Sequence, residues 1–237
     1  MIYASGTAEE RLNAVIQGAR VILTKQEFAQ AARSIFDLAR ELTGAVSGYV
    51  ALLSDDGHEN EVLFLESGGM ECSVESSLPM PIRGLRATAY ETHQVVYENR
   101  FMDSRWVDYL PGGHVAMNNV MFAPLNLEGR TVGILGLANK PGDFSDEDAD
   151  IASVFGDLAA IALANSRHID LLTEKTESLE QALAEVHTLQ GLLPICARCK
   201  SIRDDEGLWR RVETYLGERT DVTFTHGICP ECEKELY

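Results

Sequence analysis

Basic residues are scarce in this sequence: 20 lysines and arginines stand against 37 aspartates and glutamates, giving a net charge of −17 at pH 7. A chain this acidic repels the phosphate backbone of nucleic acids and the surface of anionic lipids. We therefore expect neither a nucleic acid nor a membrane among its partners.

Long apolar runs are also missing. No uninterrupted apolar stretch reaches the ~18 residues that a membrane-spanning helix needs. The first ten residues lack a basic segment followed by an apolar one, which is the pattern of a secretory signal. These absences predict a cytoplasmic protein, in which cysteines stay reduced. A cluster of cysteines then indicates metal ligands or a redox centre before it indicates disulfides.

The sequence does contain enough apolar residues for a globular fold. Its 237 residues with 45% hydrophobic content suit one full-sized domain and a smaller module. Apolar residues recur at helical spacing over residues 12–22 and 28–42, which predicts two amphipathic helices near the start. Gly44 is expected to end the second helix.

The next part of the chain has the pattern of an antiparallel sheet. Residues 48–53 and 61–66 flank an Asp-Asp-Gly turn and are expected to form a hairpin. Residues 120–127 and 131–139 are rich in Val, Ile, Leu and Phe and form the strongest predicted strand pair. A short helix is predicted between the hairpins, over residues 85–92. The order of elements predicts an α+β fold.

A long helix is predicted after the sheet. Ser145 is placed to cap it, and its first turn carries three acidic residues that the helix dipole favours. No strong helix breaker follows until Pro194, so the helix should run for about 45 residues. Its second half has two alternating sets of heptad core positions: Ile169, Thr176, Leu183 and Gln190, and Leu172, Leu179, Val186 and Leu193. This pattern predicts a coiled coil over residues 169–193 that forms a homodimer.

A distinctive run begins in the last predicted strand. Residues 133–140 read Gly-Ile-Leu-Gly-Leu-Ala-Asn-Lys, Phe144-Ser145 follows, and an Ala-rich helix spans residues 150–165. With these features the chain resembles a GAF domain, a widespread sensory module, over roughly residues 10–168. The resemblance implies an antiparallel sheet of about six strands, two helices on one face and a ligand pocket on the other.

The resemblance also implies a small-molecule ligand, since GAF domains bind cyclic nucleotides, bilins, haem or small metabolites. The segment that covers the pocket in such folds corresponds here to a cluster of aromatic and Met side chains. Those expected to line the pocket are Phe101, Trp106, Tyr109 and Met117, with His114 in the same cluster. The alternative is that they only pack against the sheet. The motif of cyclic-nucleotide-binding members is matched in part, with its acidic pair one residue out of register.

Two Cys-x-x-Cys pairs hold four of the five cysteines: Cys196 with Cys199, and Cys229 with Cys232. Two such turns brought together form the tetrahedral four-sulfur shell that Zn²⁺ prefers. A segment this short gains much of its folding free energy from a metal. We therefore predict a zinc-binding module over residues 194–237. A redox pair, an iron–sulfur cluster and disulfides are the alternatives, and His226 is an alternative ligand for one cysteine.

Between the two cysteine pairs, the pattern predicts a helix with Trp209, Val212, Tyr215 and Leu216 on one face and then a strand over residues 222–224. The segment resembles a short cysteine-pair module found after PAS, GAF and receiver domains. Seven basic residues against nine acidic ones in residues 191–237 argue against DNA binding by this module.

These patterns predict three regions: a GAF-like sensory domain (residues 1–168), a coiled-coil helix (169–193) and the zinc-binding module (194–237). The function expected is a non-catalytic signalling sensor or adaptor, in which a small ligand acts through a dimeric helix on the zinc module. A protein partner is a further candidate for this output. One alternative is an enzyme that reduces free methionine sulfoxide, although only Cys72 lies in the sensory domain. Another is a structural adaptor without a ligand.

Overall fold

The computed structural model describes residues 7–70, 74, 78–190 and 193–236. The chain divides into two compact units, residues 1–172 and 173–237. The boundary between the units falls inside a 45-residue helix, Asp146–Gln190.

The two N-terminal helices are confirmed. Helix α1 (Ala8–Thr24) begins with a capping box, in which the Thr7 side chain accepts the Glu10 N–H and the Glu10 carboxylate accepts the Thr7 N–H. Helix α2 (Phe28–Thr43) ends at Gly44. The φ angle of Gly44 is 72°, a left-handed conformation that glycine adopts without a steric penalty.

The sheet of the first unit has five antiparallel strands: β1 Ser47–Leu53, β2 Asn60–Glu66, β3 Val96–Glu98, β4 Val120–Leu127 and β5 Arg130–Ala138. Their spatial order is β2-β1-β5-β4-β3. Both predicted hairpins, β1 with β2 and β4 with β5, are confirmed. Strand β1 also pairs with β5, which joins the two hairpins into one sheet.

The sheet has five strands among the described residues, whereas the resemblance implied about six. Between β2 and α3, the described residues join the sheet only through an isolated bridge between Glu59 and Pro81. The Asn60 N–H donates to the Met80 carbonyl there at 2.9 Å. Pro81 has no N–H with which to extend a ladder, so this contact stays a single bridge.

The two faces of the sheet are covered by different elements. Helix α3 (Leu85–Thr92) and two short 3₁₀ turns, Phe101–Asp103 and Arg105–Tyr109, lie on one face. On the other face α2 and the first turns of α4 (Asp146–Gln190) enclose the main core. Its largest fully buried side chains include Phe36, Phe155, Ile35, Met121 and Leu135.

Helix α4 begins as predicted. The Ser145 hydroxyl accepts the Asp148 N–H at 3.3 Å. The helix contains a stretch with a mean hydropathy of 1.2, long and apolar enough to cross a membrane by length and composition alone. Of that stretch, 44% is buried inside the protein, and residues such as Ile151 and Phe155 pack in the main core. Its apolar character therefore fits the core helix of a soluble domain.

The second unit holds the end of α4 and a small C-terminal module. Strand β6 (Ile202–Arg203) pairs with β7 (Trp209–Arg210), and helices α5 (Val212–Arg219) and α6 (Pro230–Leu236) follow. Two predictions were wrong here: Trp209 lies in a strand rather than on the helix, and residues 222–224 form no strand.

A side-chain interaction explains the position of Trp209. The Asp204 carboxylate accepts the backbone N–H groups of Glu206 at 3.1 Å and of Leu208 at 2.8 Å. Gly207 adopts a φ of 81° in the same turn. The chain therefore reverses direction before Trp209 and pairs that residue with Arg203.

Candidate functional site

A cavity of about 140 Å³ lies on the sheet face that carries α3. Its floor is formed by strand residues such as Tyr49, Phe122 and Gly136, and one wall is formed by Leu85 of α3. A single buried water needs only ~10–15 Å³. The cavity therefore has room for a small organic molecule.

The residues predicted to line a ligand pocket all lie on the wall of this cavity: Phe101, Trp106, Tyr109 and Met117, together with His114. Phe101 is buried and also packs against Val120, so it has the packing role that was the alternative interpretation. Tyr109 is 46% exposed, and its ring centre is 6.3 Å from that of Trp106 at the rim of the cavity. Contact of these residues with a ligand stays a prediction.

Two glycines allow the floor of the cavity to form. A Cβ atom at Gly136 would lie 2.7 Å from the Tyr49 ring, and one at Gly48 would lie 2.2 Å from the Gly136 carbonyl oxygen. Distances this short exclude a larger residue at either position without movement of the chain. The Tyr49 ring therefore packs directly on the backbone of β5.

Arg86 is the main charged group on the cavity wall. Its two Nη atoms donate to the Tyr49 hydroxyl at 3.2 Å and to the Pro81 carbonyl at 3.0 Å. Its Nε atom is buried and has no hydrogen-bond partner among the described residues. The guanidinium group is therefore held in place while one of its donors is left for another acceptor.

Two other charged residues lie on the cavity wall, Arg83 and Glu66. Glu66 accepts from Arg33 of α2 at 2.9 Å. The hydrogen bond from Arg33 lowers the pKa of Glu66, which keeps this carboxylate ionised and its charge compensated. Among the described residues of the wall, the uncompensated charge is therefore positive.

Sequence reasoning missed Arg86 and Tyr49. The apolar residues Leu85 and Ala89 lie four apart and define the buried side of α3, so the position of Arg86 at the margin of that side was the available signal. A buried network beside the cavity was also missed. There the Tyr90 hydroxyl donates to Asn60 at 2.6 Å, and burial raises the pKa of Tyr90.

The first cysteine pair lies on a tight turn. The Cys196 N–H donates to the Ser201 carbonyl at 2.8 Å, the Lys200 N–H donates to the Cys196 carbonyl at 2.9 Å, and Lys200 has a φ of 60°. Hydrogen bonds from the side chain and backbone of Ser201, and from Cys196, lower the pKa of Cys199 to about 7. A lowered pKa favours the thiolate, which is the form that binds metals.

The second cysteine pair lies at the start of α6. The Cys229 carbonyl accepts the Glu233 N–H at 2.9 Å, as in the first turn of a helix. Hydrogen bonds from the backbone and side chain of Cys232, and then from the backbone of Glu231, lower the pKa of Cys229. Cys229, too, therefore lies in surroundings that favour the thiolate.

The chemistry of both pairs fits Zn²⁺, but the pairs do not meet. Within residues 7–70, 74, 78–190 and 193–236, no group of three or more His, Cys, Asp or Glu side chains is arranged to hold a metal ion. His226 belongs to no such group either. Residues 221–229 between α5 and α6 have no regular secondary structure, and Phe224 and Ile228 are exposed there. The shared four-sulfur site therefore stays a prediction that requires this connection to refold.

Comparison with known proteins identifies the first unit. The sequence profile of the GAF domain family matches residues 25–164. The chain therefore belongs to the GAF domain family. No curated protein matches the sequence at a significant level.

Solved structures with the same fold come from proteins of several kinds. The GAF domain of a phosphoenolpyruvate-protein phosphotransferase from Coxiella burnetii matches with a TM-score of 0.60 and 15% identity, over 70% of this chain and 99% of that one. Free methionine-R-sulfoxide reductase from Neisseria meningitidis matches with a TM-score of 0.56 and 15% identity, over 71% of this chain and 98% of that one. Part of a methyl-accepting chemotaxis protein matches with a TM-score of 0.54 and 13% identity, over 64% of this chain and 97% of that one. At these identities the likeness shows the fold alone.

Proposed function

We propose that this protein is a cytoplasmic signalling sensor. Its GAF domain binds a small organic molecule in the cavity, and the bound state acts through α4 on a C-terminal zinc module. The observation that carries the proposal is the preformed cavity of about 140 Å³, which has Phe101, Trp106, Tyr109 and Met117 on its wall. The presence of the same fold in a methyl-accepting chemotaxis protein supports a signalling role.

Helix α4 suits the transmission of such a signal. Its first turns pack in the main core through Ile151, Phe155 and Ala159, and the same helix continues into the second unit. A ligand changes the state of the protein only if it binds two arrangements with different affinities. A shift of the core that follows ligand binding would displace the start of α4, and the helix would carry that displacement along its length.

The second half of α4 is proposed to form a homodimer through residues 169–193. Leu179 and Leu183 occupy heptad core positions and are 66% and 59% exposed in the single chain. Leucines with this spacing bury their side chains when a second helix packs against them. A dimer would also allow the two C-terminal modules to act together on a protein partner.

The zinc module is proposed to use Cys196, Cys199, Cys229 and Cys232 as ligands. A site with four protein ligands has no open position, so the metal would have a structural role. It would join the turn at the first pair to the start of α6. Elemental analysis of the purified chain should find one zinc per chain. The Cys229→Ser variant should lose it, and the matched variant Cys72→Ser, at the one cysteine outside the pairs, should retain it.

Ligand binding is tested by thermal unfolding of the GAF domain with a panel of metabolites and nucleotides. A ligand present at 100 times its dissociation constant stabilises the fold by about 2.7 kcal/mol. The Met117→Trp variant, which fills the cavity, should abolish the response. The Met102→Trp variant should retain it, because Met102 is 44% exposed and does not line the cavity. A response that Met117→Trp leaves intact, or no response to any compound, contradicts the sensor proposal.

The rival function, reduction of free methionine sulfoxide, is favoured only by the shared fold. The four cysteines in the described part of the chain all lie in the second unit, and Cys72 lies outside that part. We expect no sulfoxide reduction in a coupled assay with a thiol reductant. Activity that disappears in the Cys72→Ser variant would establish the enzyme instead.

A further inference from the structure

We infer that the ligand of this cavity is a small organic anion, with a carboxylate or phosphate group attached to an apolar body, and that Arg86 binds its charged group. This inference rests on the proposed function, because it names the class of molecule that the pocket takes. Three features of the cavity wall support it: the donors of Arg86, the balance of charge and the start of α3.

The first feature is the incomplete hydrogen bonding of Arg86. A guanidinium group has five N–H donors in a planar fork that suits the two oxygens of a carboxylate or phosphate. Tyr49 and Pro81 accept from the Nη atoms and fix the orientation of the fork. The buried Nε has no acceptor among the described residues. Only two of the five donors therefore have acceptors among the described residues, and an anionic ligand on the cavity wall would supply further acceptors to this guanidinium group.

The second feature is the charge on the cavity wall. In the described part of the chain, neither Arg83 nor Arg86 forms an ion pair with a carboxylate. Glu66 is the one acidic residue that lines the cavity there, and it is already paired with Arg33 at 2.9 Å. The described part of the cavity wall therefore presents positive charge to a ligand although the whole chain is strongly acidic.

The third feature is the N-terminus of α3. Gly84, Leu85 and Arg86 all line the cavity, and no side chain caps this helix. The first N–H groups of a helix and its dipole favour a negative charge nearby. Arg86 and the start of α3 thus place two kinds of donor for an anion on the same side of the cavity.

The rest of the wall is apolar. Phe101, Met117, Val120 and Phe122 lie on it, with Trp106 near its rim. A bare inorganic ion gains nothing from these side chains, whereas an aromatic or aliphatic body buries its surface against them. The wall as a whole therefore suits an organic anion better than either a free ion or a neutral apolar molecule.

The test uses the fluorescence of Trp106. The chain has two tryptophans, so Trp209→Phe leaves Trp106 as the single reporter on the cavity wall. The full chain is titrated with 3-phenylpropanoate and with 3-phenylpropanamide, which has the same body without the charge. Phenyl phosphate and inorganic phosphate are titrated at the same ionic strength. We expect the acid to bind at least about tenfold more tightly than the amide, and inorganic phosphate to bind more weakly than phenyl phosphate.

A matched pair of variants identifies the anchor. Arg86→Gln should weaken binding of 3-phenylpropanoate by about tenfold and leave binding of the amide unchanged. Arg130→Gln removes the same charge at the exposed first residue of β5 and should change neither affinity. The comparison of acid with amide requires no change at Arg86, so it decides whether the cavity prefers a charged ligand even if Arg86→Gln does not fold.

Equal affinity for acid and amide, or undiminished binding of the acid by Arg86→Gln, would overturn the charged-ligand inference and leave the sensor proposal standing. Equal binding of inorganic and phenyl phosphate would overturn the role of the apolar wall. If no probe changes the emission of Trp106, the inference also fails. The metabolite panel with Met117→Trp then decides separately whether the cavity binds a ligand.

Discussion

Asp148 ties the loop after β5 to the start of α4. Its side chain is 1% exposed and lies 2.5 Å from the Lys140 Nζ atom. It also accepts hydrogen bonds from the Ser145 N–H at 2.8 Å and the Ser145 hydroxyl at 3.0 Å. Asp150, one half-turn further along, is exposed. Two acidic residues that look alike in the sequence therefore have different roles.

We expect Asp148→Ala to lower the free energy of unfolding of the GAF domain by about 3 kcal/mol, because it leaves the nearly buried ammonium of Lys140 without its partner. The control Asp150→Ala should change it by no more than about 0.5 kcal/mol. Urea unfolding in the Trp209→Phe background, followed by Trp106 fluorescence, measures both values. Equal effects of the two substitutions would contradict the assigned role of Asp148.

At the scale of single residues, the sequence was most informative where a residue type has one common use. Gly44 ends α2 as predicted, since few other residues adopt its conformation easily. The aromatic cluster around Trp106 was placed near a cavity because the resemblance to GAF domains puts this segment over the ligand pocket, where aromatic and Met side chains are well suited. Arg86 could not be assigned, because its role depends on Tyr49 and Pro81, which are distant in the sequence.

Helix α4 changes character along its length. Its first turns bury Ala152, Phe155 and Ala159 completely, whereas Leu179 and Leu183 further along are mostly exposed. A helix that continues past its core with exposed leucines at heptad spacing is typical of a chain that associates with another helix. The proposed dimer contact therefore lies in the second half of this element.

Leu179→Glu should convert the dimer to a monomer, because it places a charge in the centre of the apolar seam. The matched control Gln181→Glu adds the same charge two residues further along, away from the seam, and should remain dimeric. Light scattering coupled to gel filtration gives the mass of each variant at micromolar concentration. A monomeric unmodified chain under these conditions would rule out the coiled coil.

Among the elements, the long periodic segments and the short helix α3 were predicted correctly, whereas the strands of the C-terminal module were not. Helices α1, α2 and α4 have many apolar residues that recur with the helical period. A few residues that do not fit the pattern therefore do not change the prediction. Strands β6 and β7 have two residues each, and the hydrogen bonds of Asp204 determine where they begin. Likewise, the described residues extend the sheet by no sixth strand at Pro81, and the effect of this proline on pairing is evident only once its neighbour Glu59 is known.

The two units differ greatly in the size of their cores. The first has an extensive core between the sheet and two helices. In the second, Ile202 and Tyr215 are the only apolar side chains that are buried in the described part of the unit. It relies on polar contacts such as the Arg210–Asp204 ion pair at 2.6 Å. A module with so little apolar burial gains most from a bound metal.

Removal of metal should therefore affect one unit only. With Trp209→Phe the emission of Trp106 reports the GAF domain, and with Trp106→Phe the emission of Trp209 reports the C-terminal module. A strong chelator should abolish the cooperative thermal transition seen by Trp209 and leave the midpoint seen by Trp106 unchanged. Loss of both transitions, or of neither, would contradict an independent zinc module.

The boundary between the units lies inside α4, so the core-facing residues in the first half of this helix and the leucines in its second half follow one helical repeat. No loop interrupts the described helix from Asp146 to Gln190. Each inserted residue would therefore rotate the helix positions that follow it by about 100° around the helix axis. A single insertion after Leu172 would move Leu179 and Leu183 to a different side of the helix relative to its core-facing residues. Seven inserted residues would nearly restore their original side. Related chains of different length should therefore differ in this helix by whole heptads.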